Sequence, residues 1–169
     1  MNKISKRVHG IRNWLEKNNL DALLIPHEDE YLSEYIPPEN ERLTWATGFT
    51  GSAGLAIITQ EKAAIFVDGR YTVQVKEQVD SNLFHILHIS NDPYIKWMKN
   101  TLDSDVKVGY DPRLHKANWE TGVEKGLEGK IALSAIVQNP IDLFWRNRPL
   151  CKMDQAFLLD EKYTGKPSI

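Results

Sequence analysis

Apolar positions along this chain change their period several times, and each change predicts a different element. Ile4, Val8, Ile11 and Leu15 recur in steps of three and four, so residues 4–18 are expected to form an amphipathic helix that frays at Asn18-Asn19. Asp21-Ala22-Leu23-Leu24-Ile25-Pro26 is apolar over strand length and is stopped by its proline, which reads as a short buried strand. A polar loop holding Pro37-Pro38 is expected over 27–41. Leu55-Ala56-Ile57-Ile58-Thr59 and Ala63-Ala64-Ile65-Phe66-Val67 flank the polar Gln60-Glu61-Lys62, a β-hairpin signal.

Beyond the hairpin the periods alternate. A helix is expected from Tyr71 to Gln78 and a strand over 84–89. Asp92 reads as the N-cap, and Pro93 as the first position, of a helix running through Trp97 and Met98. A strand over 106–110, a helix from Lys116 to about Lys125, a strand over 131–137 and a short helix over 141–145 complete the order. Strands alternating with helices argue an α/β sandwich, and the hairpin makes its six-stranded sheet mixed rather than purely parallel. Residues 1–150 are expected to form one domain, and 151–169 a linker toward a second domain.

Composition narrows the function classes. A chain of 169 residues can bury a core without staples. A net charge of −2 and a pI near 6.2 make no electrostatic case for nucleic acid or an anionic membrane. The apolar runs fall far short of the roughly 20 residues of a spanning helix. Met1–Arg7 is basic but leads into no apolar run, so no secretory signal is expected. A single cysteine, Cys151, fits a reducing compartment, and the cytoplasm is the expected location.

Gly48-Phe49-Thr50-Gly51-Ser52-Ala53-Gly54 leads into the hairpin and Asp68-Gly69-Arg70-Tyr71 leaves it. The glycine run lacks the Gly-Lys-Ser/Thr of a P-loop and enters a strand instead of opening a helix, so it reads as a tight, closely packed turn rather than a phosphate cradle. Ser52 has Thr50 where a nucleophile elbow needs glycine two residues before the serine, and it lacks the strand-turn-helix setting. Cys151 is expected to be a partly buried, inert thiol. His85 and His88, three apart in a strand, point to opposite faces and make no ligand pair. His27-Glu28-Asp29-Glu30 lacks the spacing of a calcium loop and reads as a solvated loop, so no metal is placed on this chain. Arg70 is the one candidate binding residue. Its guanidinium is a fixed fork that can hold a carboxylate or a peptide carbonyl, Asp68 can orient it, and an ordinary surface ion pair explains it equally well.

Five ordered motifs carry a resemblance: Ser33-Glu34-Tyr35-Ile36-Pro37-Pro38; Arg42 through Gly54; Asp68-Gly69-Arg70-Tyr71 with Gln74; Ile141-Asp142-Leu143-Phe144-Trp145-Arg146-Asn147-Arg148-Pro149; and Tyr163-Thr164-Gly165-Lys166. Together the chain resembles the N-terminal, creatinase/prolidase-like domain of the long, three-domain Xaa-Pro aminopeptidases (aminopeptidase P). One departure is Phe66-Val67, where relatives often place tryptophan and threonine before the Asp-Gly-Arg-Tyr run.

The resemblance implies an RNase H-like topology and a non-catalytic domain that helps to gate and bind peptides with proline second. It implies that Arg70 lines the substrate entrance of the intact enzyme. It also implies that two divalent ions, manganese, are held by a catalytic domain outside these residues, so that this fragment alone is inactive. The partners it implies are the peptide substrate and the protein's own C-terminal domains, with a homodimeric parent left open. A nuclease is disfavoured, because the first strand carries only Asp21 at its edge, and Asp68 and Asp111 fall at strand ends. A free-standing ligand- or protein-binding module on the same scaffold is the alternative function.

Overall fold

A computed structural model describes residues 2–166. The first helix, α1 (Lys3–Lys17), is capped by the Asn2 side chain, which accepts from the Ser5 amide at 2.8 Å. The six strands are β1 (Ala22–Pro26), β2 (Gly54–Thr59), β3 (Ala63–Val67), β4 (His85–His88), β5 (Val106–Tyr110) and β6 (Ile131–Ala135), in the sheet order β4-β3-β2-β1-β5-β6. Only β2 runs antiparallel to its neighbours, pairing Leu24 with Ile57 on one side and Ile57 with Ala64 on the other. The β3–β4, β1–β5 and β5–β6 pairs are parallel. The mixed six-stranded α/β sheet is therefore the one expected from the alternating periods.

Near-continuous apolar strands follow from burial on both faces. Leu23, Ile25, Ile58, Ile65 and Val67 face a core shared with Val8, Ile11 and Leu15 of α1. Their sequence neighbours Leu24, Ile57, Ala64 and Phe66 face a second core with Met98 of α4 (Tyr94–Thr101) and Val123 and Leu127 of α5 (Trp119–Leu127). Between the elements, α3 (Gln74–Gln78), α6 (Pro140–Phe144) and α7 (Glu161–Thr164) are single turns.

The expected elements need correction at three places. Residues 42–47, which lie between the expected loop over 27–41 and the glycine run and have no element in the sequence reading, form a helix, α2 (Arg42–Thr47), that buries Leu43, Trp45 and Ala46 and ends on Gly48 at φ 86°. Asp92 does not cap α4, because Pro93 occupies the cap position without a side-chain bond and Tyr94 is the first helical residue. Helix α5 starts at Trp119, not Lys116, and runs on to Leu127 before Glu128 and Gly129 turn left-handed. Residues 149–166 are exposed throughout.

Candidate functional site

Since β1, β3, β4, β5 and β6 all point the same way, their carboxyl ends share one edge of the sheet with the amino end of β2. Ligands of open α/β sheets characteristically bind at such an edge. The glycine run, the Asp68-Gly69-Arg70-Tyr71 turn and residues 111–118 all lie there.

Arg70 sits in a short 3-10 turn directly after β3. The Asp68 carboxylate accepts from the Arg70 amide at 2.9 Å, from Nε at 3.1 and 3.2 Å, and from Nη2 at 2.7 Å. Those hydrogen bonds hold the Asp68 carboxyl below the usual carboxylate range. The Arg70 side chain is 68% exposed, and Nη1 makes no hydrogen bond among the described residues. The turn thus presents an aimed guanidinium with free donors, as expected of a binding arginine and equally of a local ion pair.

The glycine run supports this turn from behind. A side chain at Gly51 would collide with the Phe49 ring and approach Tyr71 Cδ1 to 2.7 Å. At Gly54, a Cβ would stand 3.2 Å from Leu43 and Phe49 and 3.3 Å from the Phe66 carbonyl. Close approach, not positive φ, is what requires these two glycines. Thr50 is tied to α3: its amide donates to Gln78 Oε1 at 2.9 Å, and its hydroxyl accepts from Gln74 and Gln78. Ser52 exchanges a 2.5 Å hydrogen bond with the Tyr71 hydroxyl, and its partner is a tyrosine rather than the histidine a nucleophile needs. That contact lowers the Tyr71 pKa.

A second Asp-x-Arg turn follows β5. Asp111 accepts from the Arg113 amide at 3.1 Å, from its Nε at 3.0 Å and from Nη2 at 2.7 Å, repeating the Asp68–Arg70 geometry. Burial alone would raise the Asp111 carboxyl, but the bonds from Arg113 and Asn139 outweigh it and hold the group below the usual range. Here the guanidinium also stands 3.7 Å from Asp142 and 4.0 Å from Glu30, so it is already surrounded by acids.

Those acids belong to a network that no sequence spacing announced. Arg42 is fully buried and donates to Asp142 at 2.8 and 3.0 Å and to Glu30 at 2.6 and 3.2 Å. Desolvation opposes its charge, but the two carboxylates prevail and its pKa is raised. Arg148 adds a 3.0 Å contact to Asp142 and donates to Asn40 Oδ1 at 2.9 Å. The motifs around residues 42 and 142–148 are therefore two halves of one clasp. Asp29, read as part of a solvated loop, is instead buried and accepts from the Tyr31 and Ser33 amides. Cys151, expected to be partly buried, is exposed.

Along the same edge lies a cleft of about 540 Å³ that includes His27, Ser52, Tyr94, His115 and Trp119 in its lining. Among the described residues, no three His, Cys, Asp or Glu side chains converge so as to hold a metal ion, and no helix is long and apolar enough to cross a membrane.

The sequence pattern of the Creatinase/Prolidase N-terminal domain matches residues 7–141, and the chain belongs to that family. It is 34% identical over 161 residues to Xaa-Pro aminopeptidase 2 of Rattus norvegicus, a match covering 94% of this chain and 24% of the relative. The chain thus spans about a quarter of the length of such relatives. Among solved structures it superposes with a TM-score of 0.88 on an X-prolyl aminopeptidase from Caenorhabditis elegans, a cytosolic enzyme with a di-nuclear active site; identity is 25%, over 98% of this chain and 29% of that one. It also shares its fold, at TM-score 0.62 and 20% identity, with the separately solved N-terminal domain of the cytoplasmic peptidase PepQ from Mycobacterium tuberculosis, covering 82% of this chain and 97% of that one.

Proposed function

We propose that this chain serves as the substrate-gating N-terminal domain of a cytoplasmic, metal-dependent Xaa-Pro aminopeptidase, and that Arg70 contacts the peptide. Similarity to Xaa-Pro aminopeptidases over nearly the whole chain supports the reaction class. The single observation that carries the role of Arg70 is its exposed guanidinium, aimed by Asp68 at the carboxyl edge of the sheet with Nη1 free to donate. The guanidinium holds a peptide carbonyl or carboxylate, while hydrolysis and its two divalent ions, manganese in this reading, belong to a catalytic portion beyond these residues. Residues 1–150 then act as the gate and residues 151–169 as the linker to that portion.

The test is Arg70→Ala in the full-length protein. Loss of a charge-assisted hydrogen bond to substrate is expected to lower kcat/KM for Xaa-Pro peptides by roughly ten- to hundredfold. Arg70→Lys should recover part of that loss, since it keeps the charge without the fork. Metal content and melting temperature should stay at wild-type values. Unchanged kinetics in a folded Arg70→Ala protein would make Arg70 an ordinary surface residue, and a collapsed melt would make it structural.

A further inference from the structure

The crevice beside the carboxyl end of β1 is the point where the connections diverge: β1 leads into the hairpin on one side and pairs with β5 on the other. This is the topological switch point, where open α/β sheets hold their ligands. The cleft of about 540 Å³ opens there, lined in part by Pro26 at the end of β1 and His27 after it, Gly54 and Leu55 of β2, and His115 and Trp119 beyond β5. Its size falls among ordinary ligand sites, which run from roughly 300 to 1,000 Å³.

The lining says what would fit. His115 and Trp119 stack with ring centroids 3.7 Å apart at 20°, and Tyr94 and Leu32 add further apolar surface. Burial pushes the His115 pKa down to about 4, so its ring is neutral at physiological pH. Its Nε2 is buried without a hydrogen-bond partner among the described residues. Glu28 and Lys116 also line the cleft, and their opposite charges select neither cation nor anion. The occupant indicated is a neutral ring. Ser52 belongs both to this lining and to the hydrogen bond with Tyr71, so the cleft is continuous with the Arg70 turn.

We propose that the cleft is a subsite for an aromatic side chain of an extended peptide whose backbone also reaches Arg70. The proposal rests on the reading that this edge faces peptide, and its test separates the two. N-terminal domains of this fold stand alone, as the separately solved PepQ domain shows, so the 169-residue chain itself can be used. Two acetylated peptides, Ala-Pro-Gly-Gly-Phe-Gly and the same sequence with Ala in place of Phe, are titrated while amide and Trp119 indole NMR shifts are followed. Burial of the ring predicts that the Phe peptide binds about tenfold tighter or more, with shifts at His115 and Trp119. Leu32→Glu, in an exposed loop position, should erase that preference while the fold persists. Equal affinities, no binding of either peptide up to about 10 mM, or a preference that survives Leu32→Glu would overturn the proposal. Should Arg70→Ala weaken both peptides with no Phe preference in wild type, the cleft fails and the Arg70 reading stands. A Phe preference indifferent to Arg70→Ala upholds the cleft and removes Arg70 instead.

Discussion

Arg42→Ala is the sharpest probe of the clasp. Arg42 is 1% exposed and donates four hydrogen bonds to two carboxylates. Removing one partner of a buried ion pair typically costs about 3–5 kcal/mol, because the surviving charge stays desolvated. Two features place this case at the lower end. Asp142 keeps Arg148 at 3.0 Å, and the Glu30 side chain is 25% exposed and so partly hydrated. About 3 kcal/mol is therefore expected, which for a domain of this size lowers Tm by roughly 6–12 °C. Urea denaturation followed by far-UV circular dichroism should show the midpoint falling by about 1.5 M at unchanged slope. Arg42→Lys should recover only part of the loss, since an ammonium cannot bridge both carboxylates through a planar fork. A double-mutant cycle with Glu30→Gln isolates the pairwise term and should return about 1–3 kcal/mol. A loss under about 1 kcal/mol for Arg42→Ala, or a cycle that closes at zero, would refute the claim that the clasp holds these segments together.

Gly51→Val should destabilise by overpacking, by about 1–3 kcal/mol or more, and Gly54→Val by somewhat less because its neighbours stand farther off. Gly69→Ala, whose Cβ would meet only His88 Nε2 at 3.5 Å, should melt like wild type; equal melts for all three would show the run to be loosely packed. Acidification should weaken the fold through His115, whose native pKa of about 4 lies below the ordinary value of about 6.5. Its neutral form is favoured by the native state, so the stabilisation is complete above about pH 6.5 and is lost as pH falls toward 4, by at most on the order of 3 kcal/mol. Urea midpoints at pH 7, 5 and 4 for wild type and His115→Gln measure it, and a wild-type slope that persists in the variant would exclude His115 as its source.

The sheet was legible wherever an element announced itself through a local period. The strand at 22–26, the hairpin and the strand at 106–110 are runs of β-branched and apolar residues bounded by polar turns, and both faces of the sheet are covered, as such runs imply. Helix α2 escaped because six residues give little more than one turn, and its glycine stop lies inside a motif that reads as a turn. The cap expected at Asp92 is misplaced because the chain is still extended at Pro93, so the helix starts one residue later than the proline rule places it. The Arg70 turn could be seen from Asp-Gly-Arg alone, since a side chain two residues back is within local reach. The clasp could not be, because Arg42 and Asp142 are 100 residues apart and no periodicity links them. The repeated Asp-x-Arg at 111–113 was visible in the letters and went unused, for want of a reason to compare two strand ends that only the parallel sheet brings to one edge.

The pairing of Arg70 with Asp68 also fixes what kind of group the arginine can select. Two opposite charges 2.7 Å apart present almost no net charge to an approaching molecule. A peptide carbonyl, being neutral, meets free donors on Nη1 without repulsion from Asp68, whereas a carboxylate meets a second anion close by. In the role proposed for Arg70, the turn would therefore favour the peptide carbonyl over the carboxylate, and electrostatic steering would contribute little to the encounter. The contribution of Arg70 to KM should hardly change with ionic strength between about 0.01 and 0.5 M, a range over which the Debye length shrinks from roughly 30 Å to a few ångströms. A tenfold rise in the Arg70-dependent part of KM over that range would show instead that a charged ligand group is being held.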